Sequence, residues 1–340
     1  MTAGLQLAPR QLPPSASSEE ERHRERQVRR RTSGLVVLAL LGAVTYLVVG
    51  VAGSWEYAMD LRGRQLGALV VVGAAVGASS LVFQTVAGSR ILTPSVMGFD
   101  SLYVLVQTVV VYTLGGNALA LMGVPERFLL NTAVLTGFGL LLYRWLFRAH
   151  SRNLFVLVLV GIVLGSFFSA LTTFASRLLS PDDYLTLQQL LFASFNTVDR
   201  SLLVVTTAAT VLGLAALVPL LRQLDVVALG RDGAVAVGLD HHRTVTRTLV
   251  VVTVLVATST ALVGPMLFLG LLVANLARQL VPAHRHTVLV PVAALVGVVC
   301  TVGGQLVVNH VLAFQTTLSV VVNLVGGLYF LILLLKAVRL

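Results

Sequence analysis

The sequence predicts an all-α polytopic membrane protein with about ten transmembrane helices in one bundle. Apolar residues form 56% of the 340-residue chain, charged residues form 11%, and the mean hydropathy is +0.91. Soluble domains contain about 25% charged residues, so this composition is typical of a chain that has lipid as its solvent. Long uncharged stretches recur along the chain, separated by short loops that carry most of the arginines.

Each transmembrane helix is predicted from an apolar run long enough to cross the hydrocarbon core. Residues 34–53 contain no charged side chain, and a helix of about 20 residues spans a core of about 30 Å. Gly264 and Pro265 interrupt residues 247–280, which we assign to two spans rather than to one span and a helix that only dips into the membrane. The predicted helices are 34–54, 65–87, 98–115, 128–147, 153–178, 201–221, 247–263, 265–280, 288–310 and 317–338.

The basic residues set the predicted orientation. Residues 1–33 have the composition of a disordered, basic cytoplasmic tail, in which Arg29, Arg30 and Arg31 could alternatively contact lipid headgroups. With the amino terminus inside, nineteen of the 24 Lys and Arg lie on the cytoplasmic side, as the positive-inside rule requires. An even number of spans then places both termini in the cytoplasm. This bias explains the pI of about 10.8, so the charge does not indicate nucleic-acid binding.

Several function classes are disfavoured by residues that the sequence lacks. A phosphate-binding loop requires Gly-x-x-x-x-Gly-Lys-Ser/Thr, but the only lysine is Lys336. We therefore expect no ATPase site, no enzyme activity and no cofactor. The histidines have no carboxylates or cysteines at metal-ligand spacing, so no metal site is expected. No Asp, Glu, Lys or Arg falls at the centre of a predicted span, which disfavours a carrier driven by protons or sodium.

The longest cytoplasmic loop, residues 222–247, has the pattern of a protein-contact site. It reads RQLDVVALGRDGAVAVGLDHHRTVTR, in which glycines separate short apolar segments. We expect two short helices joined by a glycine turn, with apolar side chains exposed at the cytoplasmic surface. Such a patch usually marks a contact with another protein, and a structured loop without a partner is the alternative.

Three motifs resemble the permeases of ABC importers for iron siderophores and cobalamin. In the loop 222–247, Leu229-Gly230, Ala234 and Val237-Gly238 match the family's Leu-Gly, Ala, and apolar residue followed by Gly. SRILTPSVMG, at residues 89–98, is similar to the family's Asn-Pro-Leu-Ala-x-Pro-x-x-Leu-Gly. GPMLFLGLL, at residues 264–272, is similar to Gly-x-Ile-x-Phe-x-Gly-Leu. The resemblance covers residues 34–340 and implies the ten-helix bundle of that family.

The chain departs from the family pattern at two positions. Ser89-Arg90 stands where the family has Asn-Pro, and Ala274-Asn275 stands where it has Pro-His. The motifs at 90–103 and 270–278 nevertheless look like one branch of the siderophore permeases, which generally work with a second, related permease subunit.

The resemblance implies contacts at both membrane surfaces. The short helices of the cytoplasmic loop would seat in a groove of a separate ABC ATPase subunit. The residues expected to make this contact are Leu229, Gly230, Arg231, Ala234, Val237 and Gly238. On the outer face, Arg62 and Arg64 would pair with glutamates of an extracytoplasmic siderophore-binding protein. An ordinary arginine at the membrane interface is the alternative role for Arg62.

The translocation path is expected at the interface between two permease subunits, which are identical or related chains. Because a ferric siderophore is large, small and neutral polar residues are expected to line the path. The candidates are Gly161, Gly165, Ser166 and Ser169. Helix packing explains the Gly-x-x-x-Gly pair equally well.

These expectations combine into one function. The chain would be the transmembrane permease subunit of an ABC importer that moves a ferric siderophore across the cytoplasmic membrane, with ATP hydrolysis in a separate subunit. A stand-alone secondary carrier for a metal or a metabolite is the alternative, and a membrane scaffold without a transported substrate is a weaker one.

Overall fold

The structure is a computed structural model that describes residues 14–50, 54–115, 123–148, 154–191, 195, 198–312 and 316–338. All regular secondary structure in these residues is helical, which confirms the predicted all-α class. Two 3-10 turns, Pro94–Met97 and Val218–Leu220, lie between α-helices. The α-helices are α1 (Pro14–Val48), α2 (Trp55–Ala87), α3 (Phe99–Leu114), α4 (Val124–Arg148), α5 (Leu154–Ser176), α6 (Pro181–Leu191), α7 (Arg200–Leu217), α8 (Leu221–Val227), α9 (Arg231–Ala236), α10 (His241–Val263), α11 (Leu269–Leu280), α12 (His286–His310) and α13 (Leu318–Val338).

Each of the ten predicted spans corresponds to a helix, although the lengths differ. In the described part of the chain, six segments are long and apolar enough to cross a membrane, and α3, α11 and α13 contain shorter apolar helices. Helix α11 has 12 residues, which is about 18 Å and less than the core of about 30 Å. The predicted span 265–280 therefore begins too early, because the chain is irregular from Gly264 to Phe268. Helix α6 was not predicted.

Helix α2 lies at the centre of the bundle and packs closely against α12. A Cβ atom at Gly73 would lie 2.7 Å from the carbonyl carbon of Gly297. One at Gly77 would lie 2.3 Å from the carbonyl oxygen of Ala293. Only glycine permits such close approach of two backbones, so this Gly-x-x-x-Gly pair serves helix packing.

The amino-terminal segment differs from the predicted disordered tail over residues 1–33. Helix α1 begins at Pro14 and continues without interruption into the first apolar run. Residues 15–33 contain no Gly or Pro that would break a helix. The Arg31 guanidinium donates to the carbonyl of Leu280 at 2.8 Å, which ties this segment to the end of α11. Residues 1–13 lie outside the described residues, so disorder there stays a prediction.

We expect Gly297→Ala to destabilise the bundle by about 1–3 kcal/mol, because the two backbones must move apart to admit a methyl group. The new Cβ would lie 2.0 Å from the carbonyl oxygen of Gly73. Gly303→Ala, in the same helix, is the matched control, since no atom lies within 4 Å of its Cβ position. Thermal unfolding of the purified chain in detergent measures both variants, and equal melting temperatures would contradict the close packing.

Candidate functional site

A pair of short helices, α8 and α9, lies at the surface of the bundle between α7 and α10. Gly230 precedes α9 with φ of +87°, and Gly238 follows it with φ of +81°. Residues other than glycine adopt this left-handed region only at a cost, so the two glycines fix the turns at both ends of α9. The structure thus confirms the prediction of two short helices joined by a glycine turn.

The helix pair exposes apolar side chains to solvent. Leu229 is 68% exposed, Val235 is 56% exposed and Val237 is 66% exposed. Ala234 of α9 is fully buried, and Leu224 of α8 is buried in the core. The pair therefore has one side fixed to the bundle and an apolar side, which we call the docking face, that no described residue covers. An uncovered apolar surface of this kind is typical of a protein-contact site.

The six residues predicted to contact an ATPase fall into two groups. Ala234 is buried beneath the docking face. The other five are exposed: Leu229, Gly230, Arg231, Val237 and Gly238. Val235 also belongs to the docking face, although the family motif does not include it.

A cleft of about 520 Å³, with both polar and apolar lining residues, lies between α3, α5 and α13. The Ser169 hydroxyl donates to the Ser101 hydroxyl at 3.1 Å and so connects α5 with α3. Pro265 and Leu267, from the irregular segment before α11, add an apolar part to the wall. The neutral hydrogen-bonding residues that line the cleft are Ser101, Ser169, Thr172, Thr173, Ser319 and Asn323. Such groups can bind a polar solute without holding it by charge.

One carboxylate, that of Asp100, belongs to the described residues that line the cleft. Its oxygens are buried beside Ser95 and meet no donor in hydrogen-bonding geometry within the described part of the chain. Asp100 is at the start of α3, as the sequence indicates, but α3 begins deep in the bundle because Gly98 packs against Gly165, halfway along α5. The sequence prediction concerned only the centres of the spans, so it did not reveal that this carboxylate is buried inside the bundle.

Only one of the four predicted path residues, Ser169, lines the cleft. Gly161 is buried, and a Cβ atom there would lie 2.9 Å from the Cα atom of Met97. A Cβ atom at Gly165 would lie 3.0 Å from the Cα atom of Gly98. The two glycines therefore let α5 pack against the turn before α3, and they do not face the cleft.

The remaining predicted residue, Ser166, is exposed and does not line the cleft. Its hydroxyl donates to the carbonyl of Ile162 at 3.1 Å, within its own helix. Thr172 and Thr173 of the same helix do line the cleft, and the sequence prediction missed them. Residues 169, 172 and 173 have the spacing of one helix face, which is the signal that would have found them.

Two of the three motifs that carry the family resemblance contact each other, namely the one before α3 and the one that begins at Gly264; we call these two the loop motifs. A Cβ atom at Gly270 would lie 3.6 Å from the methyl carbon of Thr93. The Asn275 side-chain amide donates to the carbonyl of Arg90 at 3.1 Å. Arg90 and Asn275 are both positions at which the sequence departs from the family pattern. The two departures are thus partners in one hydrogen bond.

The structure places the Arg62 guanidinium at the carboxyl end of α1. It donates to backbone carbonyls at distances of 2.6 to 3.2 Å. The four acceptors are Tyr46, Leu47, Val49 and Gly50. The last carbonyls of a helix lack partners within the helix, so Arg62 satisfies them and neutralises the negative end of the helix dipole. This role differs from the predicted contact with a binding protein, which stays a prediction.

Arg64 has a different environment. It forms an ion pair with Asp60 at 2.9 Å, and the two side chains are 30% and 58% exposed. Ion pairs between exposed side chains contribute little to stability, so Arg64 is more available than Arg62 for a partner. Within the described residues, no group of three or more His, Cys, Asp or Glu could hold a metal ion.

Comparison with known proteins identifies the family. The FecCD transport family matches residues 32–336, which include the helix pair, the cleft and both loop motifs. The chain belongs to the FecCD transport family. As a FecCD chain with several membrane-spanning helices, it is a multi-pass protein of the cell membrane. Membership of a transport family also supports the expectation that the chain is not itself an enzyme.

Several relatives share this FecCD fold over most of their length. The petrobactin import system permease protein YclO of Bacillus subtilis (strain 168) is 39% identical over 304 residues, 88% of this chain and 96% of the relative. The petrobactin import system permease protein FatC of Bacillus anthracis is 32% identical over 269 residues, 79% of this chain and 76% of the relative. The ferric enterobactin transport system permease protein FepG of Escherichia coli (strain K12) is 27% identical, covering 89% and 88%.

A solved structure supports the same fold. An inward-facing conformation of a metal-chelate type ABC transporter matches with a TM-score of 0.79 at 23% identity, over 91% of this chain and 99% of that chain. The match confirms the predicted permease-like bundle.

The carbonyl contacts of Arg62 predict a stabilising role. We expect Arg62→Ala to lower the free energy of unfolding by about 1.5–3 kcal/mol, because charge-assisted hydrogen bonds are lost and carbonyls are left unpaired. Arg64→Ala should change it by less than about 0.5 kcal/mol, since its ion pair is solvent-exposed. Thermal unfolding in detergent compares the two variants. A larger loss of stability in Arg64→Ala than in Arg62→Ala would contradict the assignment.

Proposed function

We propose that the chain is the permease subunit of an ABC importer that carries a ferric siderophore across the cytoplasmic membrane. The observation that carries this proposal is the docking face, because an ATP-driven transport protein that has no phosphate-binding loop needs a surface on which a separate ATPase can act, whereas a stand-alone carrier does not. Family membership and the names of the relatives, which import petrobactin and ferric enterobactin, support it. Petrobactin-type ferric siderophores are the first substrates to test.

The helix pair would be the contact with the ATPase subunit. Leu229, Val235 and Val237 bury apolar area in a groove of the partner, and Arg231 adds an ionic contact at the edge. Burial of three such side chains would contribute several kcal/mol at about 1.5–3 kcal/mol each. In this proposal the helix pair and both termini lie on the cytoplasmic side, and the bias of basic residues supports that orientation.

The cleft between α3, α5 and α13 would form half of the translocation path. A second permease subunit, an identical or a related chain, would supply the other half. The hydroxyl and amide groups that line the cleft can exchange hydrogen bonds with a polar siderophore as the siderophore passes, and each contact is weak enough to release it. Closure of the ATPases on ATP would tilt the helices and open the cleft alternately to either side.

An extracytoplasmic binding protein would deliver the substrate to the outer face. We assign the docking contact first to Arg64 and second to Arg62, since the Arg62 guanidinium is already bonded to backbone carbonyls. Glutamates on the binding protein would be the partners of these arginines. Exposed charge pairs of this kind speed association more than they strengthen it.

The proposal is tested by uptake into proteoliposomes. The chain is reconstituted with its ATPase, its partner permease and its binding protein, and radiolabelled ferric petrobactin is the probe. We expect uptake that requires ATP and does not respond to an ionophore. Uptake that an ionophore abolishes and that proceeds without ATP would instead show a stand-alone carrier.

The turn glycines of the helix pair predict a loss of ATPase binding. We expect Gly230→Val and Gly238→Val to weaken co-purification with the ATPase about tenfold or more, because a β-branched residue at positive φ is strained by about 1–3 kcal/mol and distorts the docking face. Gly88→Val is the matched control, since Gly88 also has positive φ, at +63°, and no atom lies near its Cβ position. Full ATPase binding by the first two variants would contradict the role of the helix pair.

The cleft predicts a loss of transport without a loss of assembly. We expect Ser169→Phe to reduce ATP-dependent uptake, because the larger ring fills part of the cleft, while ATPase binding stays unchanged. Ser166→Phe is the control in the same helix, because Ser166 is exposed and lies outside the cleft wall. Uptake measured in proteoliposomes distinguishes them, and equal uptake by both variants would argue against this path.

A further inference from the structure

Three side chains, from α2, α8 and α12, form a hydrogen-bonded chain that joins the helix pair to the bundle. In α8, Oδ1 of Asp225 accepts from the backbone N–H of His286 at 2.7 Å and lies 2.6 Å from Nδ1 of the same ring. Nε2 of His286 lies 2.8 Å from the hydroxyl of Thr85, near the end of α2. We call this arrangement the Asp225–His286–Thr85 link.

The chemistry of the groups indicates the direction of the bond between His286 and Asp225, whereas the Thr85 hydroxyl lies within hydrogen-bonding distance of both Nε2 of His286 and the carbonyl of Leu81, at 3.1 Å. A carboxylate oxygen accepts hydrogen bonds, so the tautomer of His286 that fits this contact has its N–H at Nδ1 and donates a hydrogen bond to Asp225. The other ring nitrogen is thereby directed at Thr85. His286 is only 4% exposed, so water competes little for these bonds. Loss of either partner would leave a buried polar group unsatisfied.

The link also holds the start of α12. His286 is the first residue of this helix, and the residue before it, Arg285, makes no side-chain cap. The first N–H groups of a helix lack partners within the helix and attract negative charge. The Asp225 carboxylate, which belongs to α8, accepts a hydrogen bond from one of these N–H groups and brings negative charge to the start of α12. Movement of α8 would therefore pull directly on the start of α12.

The helix pair has few other directional contacts with the centre of the bundle. Its covalent connection to α7 passes through the turn Val218–Leu220. A hydrogen bond of 2.9 Å from the Thr244 hydroxyl to the Gln223 side chain joins it to α10. The link alone, among the hydrogen bonds of the described residues, joins it to α2 and α12. These two helices are themselves held together by backbone contact at Gly73 and Gly297.

We propose that the Asp225–His286–Thr85 link transmits movement of the helix pair to α2 and α12, and so couples ATP hydrolysis to opening of the cleft. The inference rests on the proposed function, since it requires an ATPase on the docking face. The three residues are positioning residues, because none of them touches ATP or the siderophore. Without the link, the ATPase still binds and hydrolyses ATP, but less of its movement reaches the cleft.

Conservative variants test the link in the full complex. Thr85→Val removes the hydroxyl at constant shape, Thr85→Ser restores it, and Asp225→Asn keeps an acceptor for the backbone N–H of His286 while removing the charge. His284→Ala is the control, because His284 is exposed in the same loop. The measurements are ATPase binding, ATP hydrolysis, and uptake of radiolabelled ferric petrobactin per ATP hydrolysed.

We expect Thr85→Val and Asp225→Asn to lower uptake per ATP about tenfold, because the first removes the hydroxyl that meets Nε2 of His286 and the second removes the charge that strengthens the bond to Nδ1. ATPase binding and hydrolysis should stay within about twofold, and Thr85→Ser and His284→Ala should behave as the wild type. The double variant should lose less than the sum of the two single losses, because both act through His286.

The outcomes separate the two proposals. Wild-type uptake per ATP in Thr85→Val would overturn the link and leave the importer intact. An equal loss in Thr85→Ser, or a loss of ATPase binding in step with uptake, would also overturn it, because a structural role alone explains that result. Absence of ATP-dependent uptake by the wild-type complex would overturn the proposed function itself.

Discussion

Direct backbone contact between α2 and α12 is the constraint on which the rest of the bundle depends. Lipid is as apolar as the side chains of these helices, so burial of apolar area cannot hold them together as it does in water. Close approach at Gly73 and Gly297 brings many atoms into van der Waals range. The Thr301 hydroxyl adds a bond of 2.8 Å to the carbonyl of Leu69. The other helices pack around this pair, and both the link and the loop motifs attach to it.

Two irregular segments of the described chain lie inside the bundle, one of them against α5 and the other beside the cleft. Backbone without helical hydrogen bonds is tolerated inside a membrane only when protein or a polar cavity surrounds it. The turn Pro94–Met97 is packed against α5, and the segment before α11 lines the cleft together with α13. In the latter, the backbone N–H of Phe268 donates to the side chain of Asn323. Where a helix stops inside the bundle, polar groups can face the cleft, whereas an unbroken span would pair its backbone groups within the helix.

The sequence predicts elements that depend on local pattern and misses those that depend on tertiary contact. The apolar runs locate ten helices, and Gly230 and Gly238 locate the helix pair because positive φ requires glycine. The sequence identifies Arg62 only as a charged residue, because the carbonyls that accept its hydrogen bonds belong to the end of another helix. The pair at Gly161 has the same spacing as a path-lining pair, but the turn before α3 fills the space beside it. Asp100 is buried because the start of α3 is packed against the middle of α5 at Gly98 and Gly165, a tertiary contact that the sequence does not show.

A coupled transporter needs two kinds of contact, and the chain separates them in space. The docking face is apolar, so it can slide and re-seat on a moving partner without a penalty for each lost hydrogen bond. The hydrogen bonds of the Asp225–His286–Thr85 link are directional and centre on the buried His286, so displacement of α8 by even an ångström or so breaks them unless α12 and α2 follow. The cleft has neutral hydroxyls whose bonds to a solute are easily exchanged. In the proposed transporter, the easily exchanged contacts are those with the ATPase and with the solute, and the directional hydrogen bonds of the link lie between them, which is the order that force transmission from an external motor requires.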